Sequence, residues 1–314
     1  MANTAGNTPI GPQGSGGGRN EFSEDGYWTA ERLARVRPVP MPKLVAPPGA
    51  SGGEQPAMTG EPLPAGQSGL VPGQPPPGYR EEPSLAPQVE PDDAWEYGPA
   101  GARVVPHPLN YPWSAVGKLT FIQNGLEGSG SAALIRPNIL LTAGHCIYDR
   151  DNGGPSTSAS FFPAWGWRKP DDPAYKFDCS WFRWWNAWAW SKNQSYDYAL
   201  AWIDTAPGGK TPGDLIGWLG YAWGQSWEDR AWTAVGYPAP SERDSANIMY
   251  AATGRYAPGS RTYGPPVNYL PWPGQLAMTN DHMGHGSSGG HGSARDRGAP
   301  VGSARANGCG SATM

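Results

Sequence analysis

The stretch Asn138–Cys146 reads NILLTAGHC, and its pattern decides the fold class of this chain. An apolar run typical of a buried strand is followed at once by Thr142, Ala143 and Gly144, which predict a turn. His145 comes directly after this turn, where a side chain can leave a sheet and face a cleft. A single histidine after a strand is weak evidence of a functional role, so other motifs in the sequence are needed to assign one to His145.

Similar short apolar or alternating runs recur on both sides of this stretch, from about Val104 onward. They are bounded by Gly, Pro, Asn and Asp, and no long 3.6-residue periodicity is visible. Short strands with frequent turn signals predict an all-β domain, either a barrel or a sandwich. The runs are AVGKLTF (115–121), SAALI (131–135), NILLTAG (138–144), YALAWID (198–204) and WTAVGY (232–237).

The first hundred residues differ in composition, with 16 glycines and 18 prolines. A segment so rich in Pro and Gly is expected to be largely disordered. The stretch GYWTAERLARVRP (26–38) is an exception, because Thr29 can cap a short helix near residues 29–37. This helix either docks on the rest of the protein or touches nothing. We therefore predict a leader at residues 1–103 and a β domain at residues 104–314.

Charge and hydropathy exclude several classes of protein. The formal net charge of −4 leaves no basic surface of the kind that binds phosphates, so nucleic acid is not an expected partner. No apolar run approaches the roughly 18 residues of a membrane-spanning helix, so no membrane partner is expected either.

The chain is expected to be a monomer. Its N-terminal stretch also lacks the basic and apolar regions of a secretory signal.

Two further stretches carry residues suited to nucleophilic catalysis. In SYDYALAWID (195–204), Asp197 stands directly before an apolar run. In GSSGG (286–290), glycines flank two serines, so backbone N–H groups can turn toward one point. A nucleophilic serine needs a base, a group that orients the base, and N–H donors for the developing oxyanion. His145, Asp197 and Ser288 follow one another in the chain and could fill these roles.

At this point the sequence resembles a known family, the trypsin-fold serine peptidases, and within it the bacterial secreted glutamyl endopeptidase-like branch. LTAGHC is similar to the histidine motif of that family, DYAL to its aspartate motif and GSSGG to its nucleophile loop. AVGYPA (234–239) and MYAATGR (249–255) are similar to a turn and a strand of its second barrel. Five motifs in the same order make a chance agreement improbable.

The resemblance implies two six-stranded antiparallel β-barrels with the active site between them. His145 would be the general base and then the general acid, Asp197 would orient it, and Ser288 would be the nucleophile. Backbone N–H groups of Gly286 and Ser288 would form the oxyanion hole. The family register selects Ser288 over Ser287, and no cofactor or metal is implied.

The resemblance also implies that the protein is secreted and made as a zymogen. Because no secretory signal is visible, either the protein stays inside the cell or the true start site lies upstream. YWTAERLARVRP is similar to a propeptide segment, and a cut after Arg103 would make Val104 the new terminus. In the trypsin branch an Asp before the nucleophile pairs with such a terminus. Ser287 stands in that place here, so this ion pair is expected to be absent.

The histidines near Ser288 have two interpretations. His282 and His285 could line the P1 pocket, the pocket for the residue before the cleaved bond, and receive an acidic side chain. A metal site made by His282, His285 and His291 is the disfavoured alternative, because a Gly-rich loop loses much conformational entropy when it orders around a metal.

Three cysteines cannot all pair within one chain. Cys146 and Cys179 form a disulfide if the protein is exported, or else remain buried, unreactive thiols. Family members often place the partner of the first cysteine where GSGSAALI (128–135) has none, which leaves Cys179 as the nearby candidate. No role is assigned to Cys309.

The last residues depart from the family pattern. HGSARDRGAPVGSARANGCGSATM (291–314) has no Leu, Ile or aromatic residue, so we expect it not to supply the alternating apolar face of the closing strands. A frameshift near codon 290 is the hypothesis that explains this change of composition.

Three functions follow from the sequence. The leading interpretation is a serine endopeptidase that acts on protein or peptide substrates. The second is a catalytically impaired homologue that acts as a binding or surface protein. The third is a Trp-rich carbohydrate-binding module, suggested by SWFRWWNAWAW (180–190), although packing of these tryptophans beneath a loop is the favoured explanation.

Overall fold

The computed structural model describes residues 15–19, 27–38, 69–80, 102–192, 196–204, 207–223, 231–238, 249–255 and 291–295. Strands dominate these residues, so the predicted all-β class is confirmed. The strands are β1 (Ser15–Arg19), β2 (Arg37–Pro38), β3 (Gly69–Gln74), β4 (Ala102–Val104), β5 (Val116–Gln123), β6 (Leu126–Arg136), β7 (Ile139–Thr142), β8 (Tyr148–Asp149), β9 (Gly154–Pro155), β10 (Ser158–Pro163), β11 (Phe177–Asp178), β12 (Trp181–Trp185), β13 (Ala199–Trp202), β14 (Trp218–Trp223), β15 (Ala231–Gly236), β16 (Tyr250–Arg255) and β17 (His291–Arg295).

The described helices are short. They are α1 (Ala30–Arg35), α2 (Gly144–Ile147), α3 (Asn186–Ser191) and α4 (Pro212–Ile216), with 3₁₀ turns at Trp113–Ala115, Arg150–Asn152 and Pro207–Gly209. Thr211 caps α4 with a capping box: its hydroxyl accepts from the N–H of Asp214, whose carboxylate accepts from the N–H of Thr211.

A curled sheet of nine strands forms the larger part of the described fold. Its order is β1-β12-β13-β7-β6-β5-β10-β11, and β2 pairs in parallel with β6 while the other pairs are antiparallel. A second sheet has the order β17-β15-β16-β4, and two-stranded sheets join β14 to β3 and β8 to β9. The curled sheet is consistent with one of the two predicted barrels.

Every residue of strand β5 is buried. Because successive side chains in a strand point to opposite sides of the sheet, both faces of β5 are covered. Leu119 and Phe121 point into the main core, together with Phe161 of β10. Ile122 and Phe162 point to the other face, where they form a second apolar cluster with residues of the leader. The sheet is therefore covered on both sides at this position.

The helix predicted near residues 29–37 is confirmed as Ala30–Arg35, with Thr29 as its cap. The hydroxyl of Thr29 accepts from the N–H of Arg32 at 3.3 Å. Trp28 and Leu33 are buried in the cluster with Ile122, so the helix docks on the sheet. Outside this helix the leader also forms strands at Ser15–Arg19 and Gly69–Gln74, although its composition predicts disorder there, because their backbones pair with β12 and β14.

The first residues of the tail form a strand although they carry no alternating apolar pattern. Strand β17 pairs with β15 over five residue pairs, from Val235 with His291 to Ala231 with Arg295. Backbone hydrogen bonds suffice for this pairing, so an alternating apolar face is not required. Residues 296–314, including Cys309, lie outside the described residues.

Candidate active site

His145 enters the site from the end of β7. Ala143 has an extended backbone conformation, and the chain then forms the single helical turn Gly144–Ile147, which replaces the simple turn predicted from the sequence. The backbone of this turn is tied down by its neighbours: the Gln123 amide donates to the carbonyl of His145 at 3.4 Å, and the Ser156 hydroxyl donates to the carbonyl of Cys146 at 2.9 Å. The backbone that carries His145 is thus held on two sides.

Asp197 reaches the same edge of the sheet from the neighbouring strand. Strands β7 and β13 are antiparallel, and Thr142 pairs with Ala199. Asp197 lies two residues before Ala199 and His145 lies three residues after Thr142, so both side chains occur where this strand pair ends. The sheet register therefore brings together two residues that are far apart in the chain.

Two hydrogen bonds join the residues. Oδ2 of Asp197 lies 2.9 Å from Nδ1 of His145, and Oδ1 of Asp197 accepts from the backbone N–H of His145 at 2.8 Å. Both side chains are 1% exposed. Because each carboxylate oxygen has its own partner on His145, the plane of the carboxylate and the orientation of the imidazole are fixed together.

The pair changes the acid strength of the imidazole. Burial by itself would lower the pKa of His145, but the contacts with Asp197 and Cys146 outweigh it, and the pKa lies well above the ordinary 6.5. The carboxylate thus stabilises a proton on this imidazole, as a base that accepts a proton in a reaction requires.

The second nitrogen of the ring, Nε2 of His145, is buried, and no described residue forms a hydrogen bond with it. A buried polar atom without a partner is costly, so a partner is expected at this position. The predicted nucleophile Ser288, the predicted oxyanion residue Gly286 and the predicted pocket residues His282 and His285 lie outside the described residues.

Trp188 also contributes to the site. The sequence alone assigns it no role beside His145. Its ring lies edge-on to the imidazole of His145, with 6.3 Å between centroids. Its Nε1 donates to the carbonyl of Tyr148 at 2.7 Å. Trp184 and Trp188 are buried and Trp190 is 66% exposed, so the packing explanation holds for the first two.

The predicted disulfide is not formed. Cys146 and Cys179 are both free thiols, and both are completely buried. Burial raises the pKa of the Cys179 thiol, which keeps it protonated and unreactive. The alternative of buried, unreactive thiols therefore describes this pair.

No cluster of three or more His, Cys, Asp or Glu side chains suited to a metal ion occurs within the described ranges. In the same part of the chain, no helix is long and apolar enough to cross a membrane.

The chain matches no protein-family model. A curated protein of Bacillus subtilis (strain 168), named extracellular metalloprotease, is 33% identical over 88 residues, which are 28% of this chain and 26% of that protein. The chain thus matches about a quarter of the length of this relative.

Solved structures to which the chain is similar are described as proteases. The thermostable serine protease AL20 from an extremophilic microorganism gives a TM-score of 0.48 at 22% identity, over 58% of this chain and 79% of that one. Protease Anisep from Arthrobacter nicotinovorans gives 0.47 at 23% identity, over 59% and 79%. A Glu endopeptidase in complex with MPD gives 0.46 at 20% identity, over 63% and 80%.

Proposed function

We propose that the chain is a serine endopeptidase that hydrolyses peptide bonds through an acyl-enzyme intermediate. The observation that carries this proposal is the buried pair of His145 and Asp197. One imidazole nitrogen is held by a carboxylate, and no described residue bonds the other. An imidazole oriented in this way is suited to take a proton from a hydroxyl group and return it to a leaving group.

In the proposed reaction, Oγ of Ser288 attacks the carbonyl carbon of the substrate and its proton passes to Nε2 of His145. The N–H groups of Gly286 and Ser288 stabilise the oxyanion of the tetrahedral intermediate. The imidazolium then protonates the leaving amine as the C–N bond breaks, and an acyl-enzyme remains. Water attacks the acyl group with His145 again as the base, which releases the acid and restores Ser288.

Asp197 stabilises the imidazolium that forms in each half of this reaction. The contact of Oδ2 with Nδ1 at 2.9 Å favours a proton on Nδ1 and leaves Nε2 to exchange protons with Ser288, and the backbone N–H of His145 orients the carboxylate by donating to Oδ1 at 2.8 Å. Because the pair is excluded from water, the attraction between carboxylate and imidazolium is stronger than it would be in solvent.

We propose further that the protein is secreted, is made as a zymogen, acts as a monomer on protein or peptide substrates, and receives an acidic P1 side chain near His282 and His285. Maturation after Arg103 would require a structural change, because Arg103 lies in β4, where it pairs with Ala251. Val105 is buried, and its N–H donates to the carbonyl of Met249 at 2.8 Å. A cut at this bond therefore needs β4 to leave β16 first.

A metal-dependent peptidase is the second candidate, since the partly matching curated relative is named a metalloprotease. A catalytically impaired homologue is the third, because the sequence after Gly290 departs from the family pattern. The three candidates differ in whether peptides are hydrolysed and in which reagent abolishes the hydrolysis.

The deciding experiment is labelling with a fluorophosphonate probe, before and after limited proteolysis, of the wild type and of S288A, S287A and H145A. A serine peptidase is labelled in the wild type and in S287A, loses labelling in S288A and H145A, and keeps its activity in a metal chelator. A metal-dependent peptidase hydrolyses peptides without labelling and is inhibited by the chelator. A folded wild type that is neither labelled nor active is the impaired homologue.

A further inference from the structure

We infer that two segments of the leader, residues 27–38 and 69–80, bind the body of the protein tightly. The leader therefore stays attached when the chain is cut between residues 80 and 102. The body is defined as residues 104–314. This inference concerns a binding surface and its occupant, and it does not depend on the proposed catalysis.

The first surface is the edge of β14 that the leader strand β3 covers. The two strands are antiparallel and pair from Trp218 with Gln74 to Trp223 with Gly69. Among the described strands, β14 pairs with β3 alone. The leader therefore supplies the backbone partners that this strand of the body needs.

Glycines on both strands allow an unusually close approach of the two backbones. A Cβ atom on Gly220 would lie 2.1 Å from the carbonyl oxygen of Val71, and one on Gly217 would lie 2.7 Å from that of Gln74. On the leader side, a Cβ atom on Gly73 would lie 2.6 Å from the backbone of Leu219. This edge of the body is thus shaped for one extended segment in one register.

The contact continues beyond the strand. The hydroxyl of Tyr79 donates to the carbonyl of Tyr111 at 3.0 Å, and the rings of these two residues meet edge-on with 6.0 Å between centroids. Tyr111 in turn donates to the carbonyl of Trp218 at 3.3 Å. The leader is thereby connected to the body at the position where β14 begins.

The second surface lies on the outer face of the nine-stranded sheet, under helix α1. Leu33 and Val36 are buried there against Ile122 and Phe162. Trp28 belongs to the same cluster and is 7% exposed. Removal of the leader would expose Ile122 and Phe162 of the body to water, which is unfavourable.

Polar contacts at the edge of this cluster fix the helix in place. Both leader residues involved reach Glu127 of β6: the Arg32 guanidinium at 3.5 Å and the Tyr27 hydroxyl at 3.4 Å. The guanidinium of Arg32 also lies 4.0 Å from the centroid of the Tyr27 ring. Directly after the helix, Arg37 and Pro38 pair in parallel with β6.

The two surfaces act together because one chain occupies both. When one segment detaches, the other keeps it close to its site, so rebinding competes with complete release. Retention of the cut leader is therefore expected to outlast either contact taken alone.

To test this, a flexible sequence with a site for a specific protease is inserted between residues 90 and 91 of the full chain. The work is done in the S288A background, so that the result is independent of the proposed activity. After complete cutting, confirmed under denaturing conditions, the mixture is separated by size-exclusion chromatography at micromolar concentration. We expect the two fragments to elute together in equal amounts. Separate elution of the leader fragment overturns the inference.

A pair of leader variants tests the assigned surfaces and leaves the body unchanged. G73V combined with L33D should weaken the attachment at least tenfold, because it disturbs two of the three described contacts of the leader and leaves only the pairing of β1 with β12. L70A on the same strand is the matched control, since Leu70 is 40% exposed, and it should be retained like the wild type. Equal retention of the double variant and the control would show that the leader is held elsewhere and would refute the assignment.

Discussion

A Cβ atom on Gly144 would lie 2.9 Å from Oδ1 of Asp197, closer than such atoms approach in proteins. The same atom would lie 3.0 Å from Cδ1 of Trp188 and 3.1 Å from the backbone nitrogen of Tyr198. The glycine before His145 therefore leaves the space in which the carboxylate sits. Its role is to permit this close approach, since its backbone lies in an ordinary helical turn.

G144A should consequently displace the Asp197 carboxylate and lower kcat by about 100-fold, because displacements near 1 Å can cost this much in an organised site. Peptide hydrolysis and the unfolding temperature are measured together. G125A is the control, because Gly125 has a φ of +72° but open space around its Cα. We expect the control to lose stability and keep its activity per folded molecule. Full activity of G144A would contradict the proposed role of the Asp197 carboxylate.

The pH dependence of kcat/KM should report the contact between His145 and Asp197. A general base acts only when neutral, and the pKa of His145 is raised well above 6.5, so activity is lost as the pH falls through this raised value. D197N should move the midpoint to lower pH and reduce kcat by about 10⁴-fold, as expected when the orienting carboxylate of a triad is lost.

The matched control is D204N, which removes one carboxylate from an exposed residue that accepts from the Ser180 hydroxyl. Its pH midpoint should equal that of the wild type. A midpoint that stays in place in D197N would show that Asp197 does not control the protonation of His145.

Lys118 should reduce stability at neutral pH. Its side chain is buried, with Nζ 5.5 Å from the centroid of the Trp165 ring, and burial lowers its pKa from 10.5 to about 8. Below this value the lysine is charged in both states and the folded state bears the cost of burying the charge. As the pH rises from about 8 to 10.5, only the unfolded chain still binds the proton, so stability increases.

K118M should therefore stabilise the protein at pH 7 by about 1 to 3 kcal/mol, and this advantage should shrink as the pH approaches 10. Urea unfolding at both pH values measures it. K169M, which changes an exposed lysine, should leave the pH dependence unaltered. A K118M protein that is less stable than the wild type at pH 7 would mean that the ammonium is favourably solvated or paired.

The free thiols predict how the protein responds to oxidation and labelling. In a C309S variant, Cys146 and Cys179 should both resist a thiol reagent in the native protein, because both side chains are completely buried. In urea without a reductant, two thiols per chain should react. If none reacts until a reductant is added, the two cysteines are joined after all.

Much of the body is predictable from its sequence. The runs SAALI, YALAWID and WTAVGY lie in or overlap β6, β13 and β15, because strands with one or two buried faces require such apolar patterns. The resemblance of LTAGHC and DYAL to motifs of a known family implies the partnership of His145 and Asp197. The register of Thr142 with Ala199, which brings them together, cannot be predicted because it depends on which strands pair.

The leader strand is the clearest case that sequence patterns do not predict. GLVPGQ in β3 contains Pro72 and two glycines, and such composition argues against a strand. It forms one because the edge of β14 provides its hydrogen-bond partners and because Gly217 and Gly220 make room for it. The contact of Trp188 with His145 is likewise a result of tertiary packing, since nothing local distinguishes this tryptophan from its neighbours.

The pairing of β3 with β14 also sets the order of events during synthesis. Residues 69–74 leave the ribosome long before residues 218–223 are synthesised. The leader strand therefore cannot pair with β14 until this part of the body has been translated. Contacts between segments so distant in the chain form late, because the intervening loop has to be closed first. The leader strand β3 is therefore made early and paired late, only after residues 218–223 have been synthesised.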